Sequence, residues 1–250
     1  MIDLHSHILP GLDDGSRTVE DARALALRAA REGVTAIAAT PHVRSDYPTR
    51  PEEMERGVTR LREDFVEQGI VVEVLPGGEL DLGMLATLAD EELRRFTLAQ
   101  SGRYLLLEFP YSGWPPALEQ TLYGLGLRGF VGVLAHPERN RVVQASPDRL
   151  AEAVRLGALV QLTAASLDGR IGRSAEKAAE RLLDLGLAHV LASDAHTPEI
   201  REAGLAPAAE AVGDEALARF LTVEAPTAIV AGEAVPAPPR RARRRRFFVF

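Results

Sequence analysis

Seven short apolar runs, at residues 2–5, 36–40, 71–75, 104–109, 131–135, 159–163 and 190–193, alternate with longer amphipathic stretches over most of the chain. The short runs read as buried strands. The stretches between them, at 19–32, 51–68, 82–95, 116–125, 147–156 and 175–185, carry helical patterns. The first begins after Thr18, a good N-cap, has Glu20 and Asp21 in its first turn, and stops at Gly33. Gly69, Gly126, Gly157 and Gly186 close others in the same way. Strands alternating with helices predict a parallel sheet, because parallel neighbours need a crossover between them. Periodicity alone leaves two forms open, a doubly wound open sheet and a closed barrel.

The placement of polar residues separates these two forms. The chain has six histidines. Five lie in His5-Ser6-His7, Thr40-Pro41-His42, Ala135-His136-Pro137 and Ser193-Asp194-Ala195-His196. His5, His42, Glu79, Glu108, His136 and Asp194 each fall at or just past the end of a strand candidate, from one end of the chain almost to the other. A barrel collects its chemistry in this way at the C-terminal ends of many strands. An open sheet concentrates it at one switch point. The placement therefore predicts an α/β barrel with its site at the C-terminal ends of the strands.

The chemistry of that site is a metal centre. His-x-His at a strand end puts two imidazoles on one face, and Asp194-x-His196 repeats the spacing with a carboxylate. Glu79 follows Leu75-Pro76-Gly77-Gly78, and Glu108 closes an otherwise apolar strand, where a carboxylate is costly unless paired or bound to a cation. Asp13-Asp14-Gly15 is either a turn or a source of one more carboxylate ligand, Asp14 or its neighbour Asp13. Imidazole and carboxylate without thiolate suit manganese, iron or zinc and do not choose among them. Cysteine is absent, which excludes disulfides, thiolate zinc sites and a cysteine nucleophile together.

Composition adds bounds. At 250 residues, with 46% hydrophobic and 26% charged residues, the chain has the size of one α/β barrel and the make-up of a soluble globular protein. No stretch approaches the roughly 20 apolar residues of a membrane span. The N-terminus runs directly into Ile2-Asp3-Leu4-His5 with no signal-peptide pattern, so a cytoplasmic location is expected. Net charge is −7, and setting aside the six arginines among residues 240–250 leaves a body of −13, which disfavours nucleic acid as a partner. Residues 199–229 read as one or two closing helices. Three prolines in Val235-Pro236-Ala237-Pro238-Pro239 then mark residues 233–250 as a flexible Pro/Arg-rich tail behind a 1–232 domain. The tail is basic and then aromatic, a chemistry suited to peripheral contact with an anionic membrane surface and equally that of an idle terminus.

Met1-Ile2-Asp3-Leu4-His5-Ser6-His7-Ile8-Leu9-Pro10-Gly11-Leu12-Asp13-Asp14-Gly15, taken with the three later histidine segments and Pro137-Glu138-Arg139, resembles the polymerase and histidinol phosphatase (PHP) superfamily. More closely it is similar to the manganese-dependent protein tyrosine phosphatases of bacterial capsule and exopolysaccharide operons. The resemblance covers residues 1 to about 230. It implies a distorted (β/α)7 barrel holding three divalent metal ions, most simply manganese. One ion would be held by His5, His7, Glu79 and Asp194, a second by Glu79, Glu108 and His136, and a third by Asp14, His42 and His196. It further implies hydrolysis of phosphotyrosine on the tail of a bacterial tyrosine kinase. The alternatives within reach are a small-molecule phosphatase, acting on histidinol phosphate or nucleotides, and a non-catalytic metal-bound regulatory module. Arg139 and Arg201 are the candidate phosphate clamps. Gly78 stands where the resemblance implies alanine, a change expected to matter little. His189 is expected to be structural, and Tyr111-Ser112-Gly113-Trp114 to offer either an aromatic wall beside the site or a packed loop anchor.

Overall fold

The protein is described by a computed structural model over residues 1–197 and 204–242. Ten strands follow one another along it: β1 (Ile2–Ser6), β2 (Ala36–Ala39), β3 (His42–Arg44), β4 (Tyr47–Pro48), β5 (Glu73–Leu75), β6 (Glu79–Asp81), β7 (Tyr104–Glu108), β8 (Val131–Ala135), β9 (Leu159–Thr163) and β10 (Val190–Ala192). All pairings are parallel except that of β3 with β4, a short antiparallel hairpin. They form a three-stranded sheet in the order β1-β2-β5 and a seven-stranded sheet in the order β10-β9-β8-β7-β6-β3-β4.

The two sheets make one barrel. Thr40-Pro41 interrupts the path from β2 to β3, and Pro76-Gly77-Gly78 interrupts that from β5 to β6. Proline has no N–H to give a ladder, so pairing stops and restarts at each break. The first lengths, β2 and β5, pair beside β1, and the second lengths, β3 and β6, pair beside β7. At the far edge Ser6 and Ala195 form a parallel bridge. There the Asp194 N–H donates to the His5 carbonyl at 2.9 Å and the His7 N–H to the Ala195 carbonyl at 2.8 Å. Counting each interrupted path once and leaving out β4, the antiparallel hairpin strand at the edge, the circuit has the seven positions of a distorted (β/α)7 barrel.

Alternation along the strands separates two apolar layers. Tyr104 and Leu106 of β7, Val133 and Ala135 of β8, and Val190 and Ala192 of β10 pack into an inner cluster. Leu105, Leu107, Leu134 and Leu191 join an outer cluster with helix residues such as Leu25, Phe65 and Leu182. The inner parity continues into Glu108 on β7 and Gln161 on β9, which carries polar groups to the top of the barrel. Ile229, from the last helix (Ala225–Val230), joins the inner layer.

Helices lie where the patterns predict them, with shifted ends. Thr18 caps Val19–Arg31 through a reciprocal capping box with Asp21, and Gly33 takes the left-handed φ of +83° that ends it. The 82–95 stretch divides into a 3-10 turn (Met84–Ala86) and a helix (Asp90–Phe96), and 147–156 divides similarly. The region expected to close the fold contains Leu205–Val212, Glu215–Arg219 and Ala225–Val230. No helix among the described residues is long and apolar enough to cross a membrane.

Residues 233–242 are tied to the barrel rather than free. Tyr104 donates its hydroxyl to the Glu233 carbonyl. Arg241 reaches the Val212 carbonyl, at the end of Leu205–Val212, and the carboxylates of Glu180 and Asp184. The Ala242 N–H donates to Asp214 at 2.7 Å. The tail expected from residue 233 is thus held as far as 242, and residues 243–250 lie outside the described residues.

Candidate metal centre

Six strands deliver one or two side chains to a single point, four from their C-terminal ends and two from their first residues. β1 ends in the segment carrying His5 and His7, β3 and β6 open on His42 and Glu79, and β7 closes on Glu108. His42 and Glu79 are register partners in the β3–β6 ladder, which fixes them side by side. His136 follows β8 and Asp194 follows β10, both with left-handed backbone (φ 39° and 53°). That conformation costs a residue with a Cβ about 1–2 kcal/mol, and here it ends each strand at the point where its last side chain joins the cluster.

Glu79 is the hub. It is fully buried, with Oε1 2.9 Å from His136 Nε2 and Oε2 2.9 Å from His42 Nδ1. The same Oε2 lies 3.4 Å from both His5 Nε2 and His7 Nε2. Asp194 Oδ1 stands 3.5 Å from each of those nitrogens. Further out, Asp14 Oδ1 is 3.5 Å from His42 Nε2 and 3.3 Å from His196 Nε2. Three sets offer ligand atoms within 4.8 Å of one another: His7, Asp14, His42 and His196; His5, Glu79 and His136; and His5, His7 and Asp194.

This donor set fits metal ions. His5 Nε2 and His7 Nε2 face each other at 3.3 Å beside Glu79 Oε2, which is buried without a well-directed hydrogen bond, as are His42 Nδ1 and Glu108 Oε2. Buried polar atoms left without a donor or acceptor are rare and costly, and a divalent cation among oxygen and imidazole nitrogen would satisfy them together. Charge tells the same story. Burial opposes the Glu79 carboxylate, yet the charge of His5 and the hydrogen bond from His136 hold its pKa well below the usual carboxylate range. Burial pushes His136 below its ordinary value despite Glu79 beside it.

Glu108 stays at the margin. Its Oε2 is 3.8 Å from His42 Nδ1, while its Oε1 accepts from Arg44 at 2.9 Å. Burial and the charge of Glu79 raise its pKa. Arg139 enters the site from the 3-10 turn Pro137–Arg139, giving Nη1 to Asp194 Oδ2 at 2.7 Å. Its guanidinium lies 4.6 Å from the centre of the Tyr111 ring, which stacks on His136. Arg201 lies outside the described residues. Trp114 packs edge-on against Phe109, with Arg149 over it, so Tyr111 rather than Trp114 flanks the cluster.

Several residues that serve the site carry no metal-like motif. Gln161 Oε1 lies 3.0 Å from His5 Nδ1 and accepts from the His136 N–H at 3.2 Å. A buried glutamine inside the apolar run Leu159-Val160-Gln161-Leu162 was the available signal. Asp3 accepts from the Ser193 and His5 N–H groups and so ties β1 to the end of β10. Arg44 had no signal, because β3 itself was not foreseen. His189 is apart from the cluster, its Nδ1 accepting from the Val160 N–H at 3.2 Å.

A parallel α/β barrel whose strand ends converge on a buried imidazole–carboxylate cluster defines a metal-dependent hydrolase. Residues 1–230 match the family described as capsular polysaccharide synthesis, CpsB/CapC, and the chain belongs to that family. It is 34% identical to the tyrosine-protein phosphatase YwqE of Bacillus subtilis over the full length of both chains. It is 34% identical to the putative tyrosine-protein phosphatase CapC of Staphylococcus aureus over 79% of this chain and 77% of that one. Among solved structures, one from a study of YwqE of Bacillus subtilis and CpsB of Streptococcus pneumoniae, described as unique metal-dependent tyrosine phosphatases, superposes with a TM-score of 0.88. It is 33% identical and covers 98% of this chain and 100% of its own. A β-aspartyl dipeptidase from Fervidobacterium islandicum shares the fold alone, with a TM-score of 0.55 at 14% identity over 95% of this chain and 75% of its own.

Proposed function

We propose that the protein is a metal-dependent protein tyrosine phosphatase that hydrolyses phosphotyrosine on a bacterial tyrosine kinase regulating capsular or exopolysaccharide synthesis. The observation that carries this is the likeness to YwqE over the full chain, combined with a buried imidazole–carboxylate cluster. In this reading three ions, manganese by preference, are held by His5, His7, Glu79 and Asp194, by Glu79, Glu108 and His136, and by Asp14, His42 and His196. Glu79 bridges. The enzyme works in the cytoplasm, and the arginines and aromatics of residues 240–250 give it a peripheral hold on an anionic membrane surface.

Bound divalent ions would supply hydroxide at neutral pH and neutralise charge on the phosphoryl group. The chain's own residues do the rest. Arg139 binds the phosphoryl oxygens, its planar fork suiting a bidentate grip. Asp194 and the Tyr111 ring hold that guanidinium at the cluster's edge. Arg201 is the second clamp. The phenolate leaving group, with a pKa of about 10, needs less proton donation than an alkoxide. A groove of about 410 Å³ runs beside Arg139, lined by Tyr111, Gln144 and residues 171–175, and has room for polypeptide flanking the phosphotyrosine.

The test is initial-rate assay of the purified, manganese-loaded chain on a phosphotyrosyl peptide and on histidinol phosphate. The expected result is a clear preference for the peptide in kcat/KM. A strong preference for histidinol phosphate would overturn the substrate assignment. Hydrolysis of neither would point to a non-catalytic module.

A further inference from the structure

The two neighbouring aspartates after the His-x-His segment do different things. Asp14 is exposed and turns its Oδ1 toward His42 Nε2 and His196 Nε2. The Asp13 side chain is buried and turns away from those two nitrogens. Its Oδ2 lies 2.6 Å from His7 Nδ1 and accepts from the His42 backbone N–H at 3.0 Å. Its Oδ1 accepts from the Gly15 N–H at 3.0 Å. One carboxylate therefore holds the ring of a histidine at the end of β1 and the main chain of a histidine that opens β3.

We propose that Asp13 is a positioning residue that fixes the tautomer of His7 and the placement of His42, and through His7 controls loading of the ion held by His5, His7, Glu79 and Asp194. This rests on the metal-centre reading above. An ionised carboxylate only accepts, so the hydrogen shared with His7 must sit on Nδ1. That leaves the lone pair of His7 Nε2 directed at Glu79, Asp194 and the cluster. The loop closes tightly to achieve it. Ser16 gives its N–H to the His7 carbonyl at 3.0 Å, and a Cβ on Gly15 would come within 2.1 Å of that same oxygen. Only glycine lets the loop lie against the histidine it orients. Carboxylate partners of this kind change metal affinity about 10–100-fold when removed.

Asp13→Asn tests the idea. Asparagine keeps the shape and can still accept from a backbone N–H, but its amide group facing His7 Nδ1 favours the opposite tautomer, with hydrogen on Nε2 where a metal should bind. Metal titration of the apo chain, followed by elemental analysis, is expected to show one class of ion weakened about 10–100-fold, with the others retained. The urea midpoint of the apo chain should change little. A second measurement needs no variant: nitrogen-15 shifts of the zinc-loaded wild type should report His7 protonated at Nδ1. Unchanged stoichiometry and affinity in Asp13→Asn, or His7 bound through Nδ1, would overturn the proposal. If the wild type takes up no metal at all, the metal-centre reading fails first and this one with it.

Discussion

Burial of an ionisable side chain has opposite consequences at two places in this molecule. At Glu79 it comes with compensation, because four imidazoles surround one carboxylate and keep it charged. At His189 burial comes without an acid, and it holds the imidazole neutral, lowering its pKa to about 4. The sign of the resulting pH dependence follows. An unfolded His189 takes up a proton near pH 6.5 while the folded one does not until about 4, so between these values the unfolded state binds more protons and stability falls as pH falls. The loss should reach roughly 3 kcal/mol at the acid end. Urea unfolding at pH 7 and pH 4.5, compared between wild type and His189→Gln, should show a shallower pH dependence in the variant. Equal slopes would mean that other groups dominate acid destabilisation. The expectation that His189 is structural came from its position at the start of a strand without an acidic neighbour. The division between Asp13 and Asp14 could not be read that way, since adjacent residues in a turn differ only in the direction the folded loop gives them.

Elements that are interrupted, rather than regular, place the ligands. Pro76-Gly77-Gly78 stops β5 and restarts the path as β6 with Glu79 first, and Gly78 owes its place to space. A Cβ there would lie 2.7 Å from Phe96 Cδ1 and 3.2 Å from Val43 Cγ2. In this chain the Phe96 ring fills the volume an alanine would use. Gly78→Ala should cost about 1–3 kcal/mol through overpacking, visible as a lower Tm, and adding Phe96→Leu should recover part of it. A neutral Gly78→Ala would show that the ring moves freely. The long strands and amphipathic helices were legible because their periodicity runs over many residues. β3, β4 and β6 were not, since each is two or three residues long and exists only through its neighbour's hydrogen bonds.

The molecule as a whole closes where its beginning meets the end of its last barrel strand, with Asp3 and the Ser6–Ala195 bridge joining β1 to the end of β10. The final described residues are anchored by Arg241 to Glu180, Asp184 and the Val212 carbonyl, so the basic and aromatic residues beyond 242 start from a defined point on the body. Removing residues 243–250 should abolish sedimentation with phosphatidylserine vesicles at low salt while leaving hydrolysis of a soluble phosphotyrosyl peptide unchanged. Equal sedimentation of full-length and shortened chains would discard the membrane role. Residue type and spacing were enough to establish an alternating α/β chain, a cysteine-free site and the imidazoles and carboxylates gathered at strand ends, because periodicity and ligand chemistry are local properties. Three things needed the folded chain: the two breaks and the β4 hairpin that leave seven barrel positions among ten strands, the approach of Glu79 to four histidines, and the roles of Asp13, Gln161 and Arg44. Each depends on distances between residues far apart in sequence, which are set only when the barrel closes.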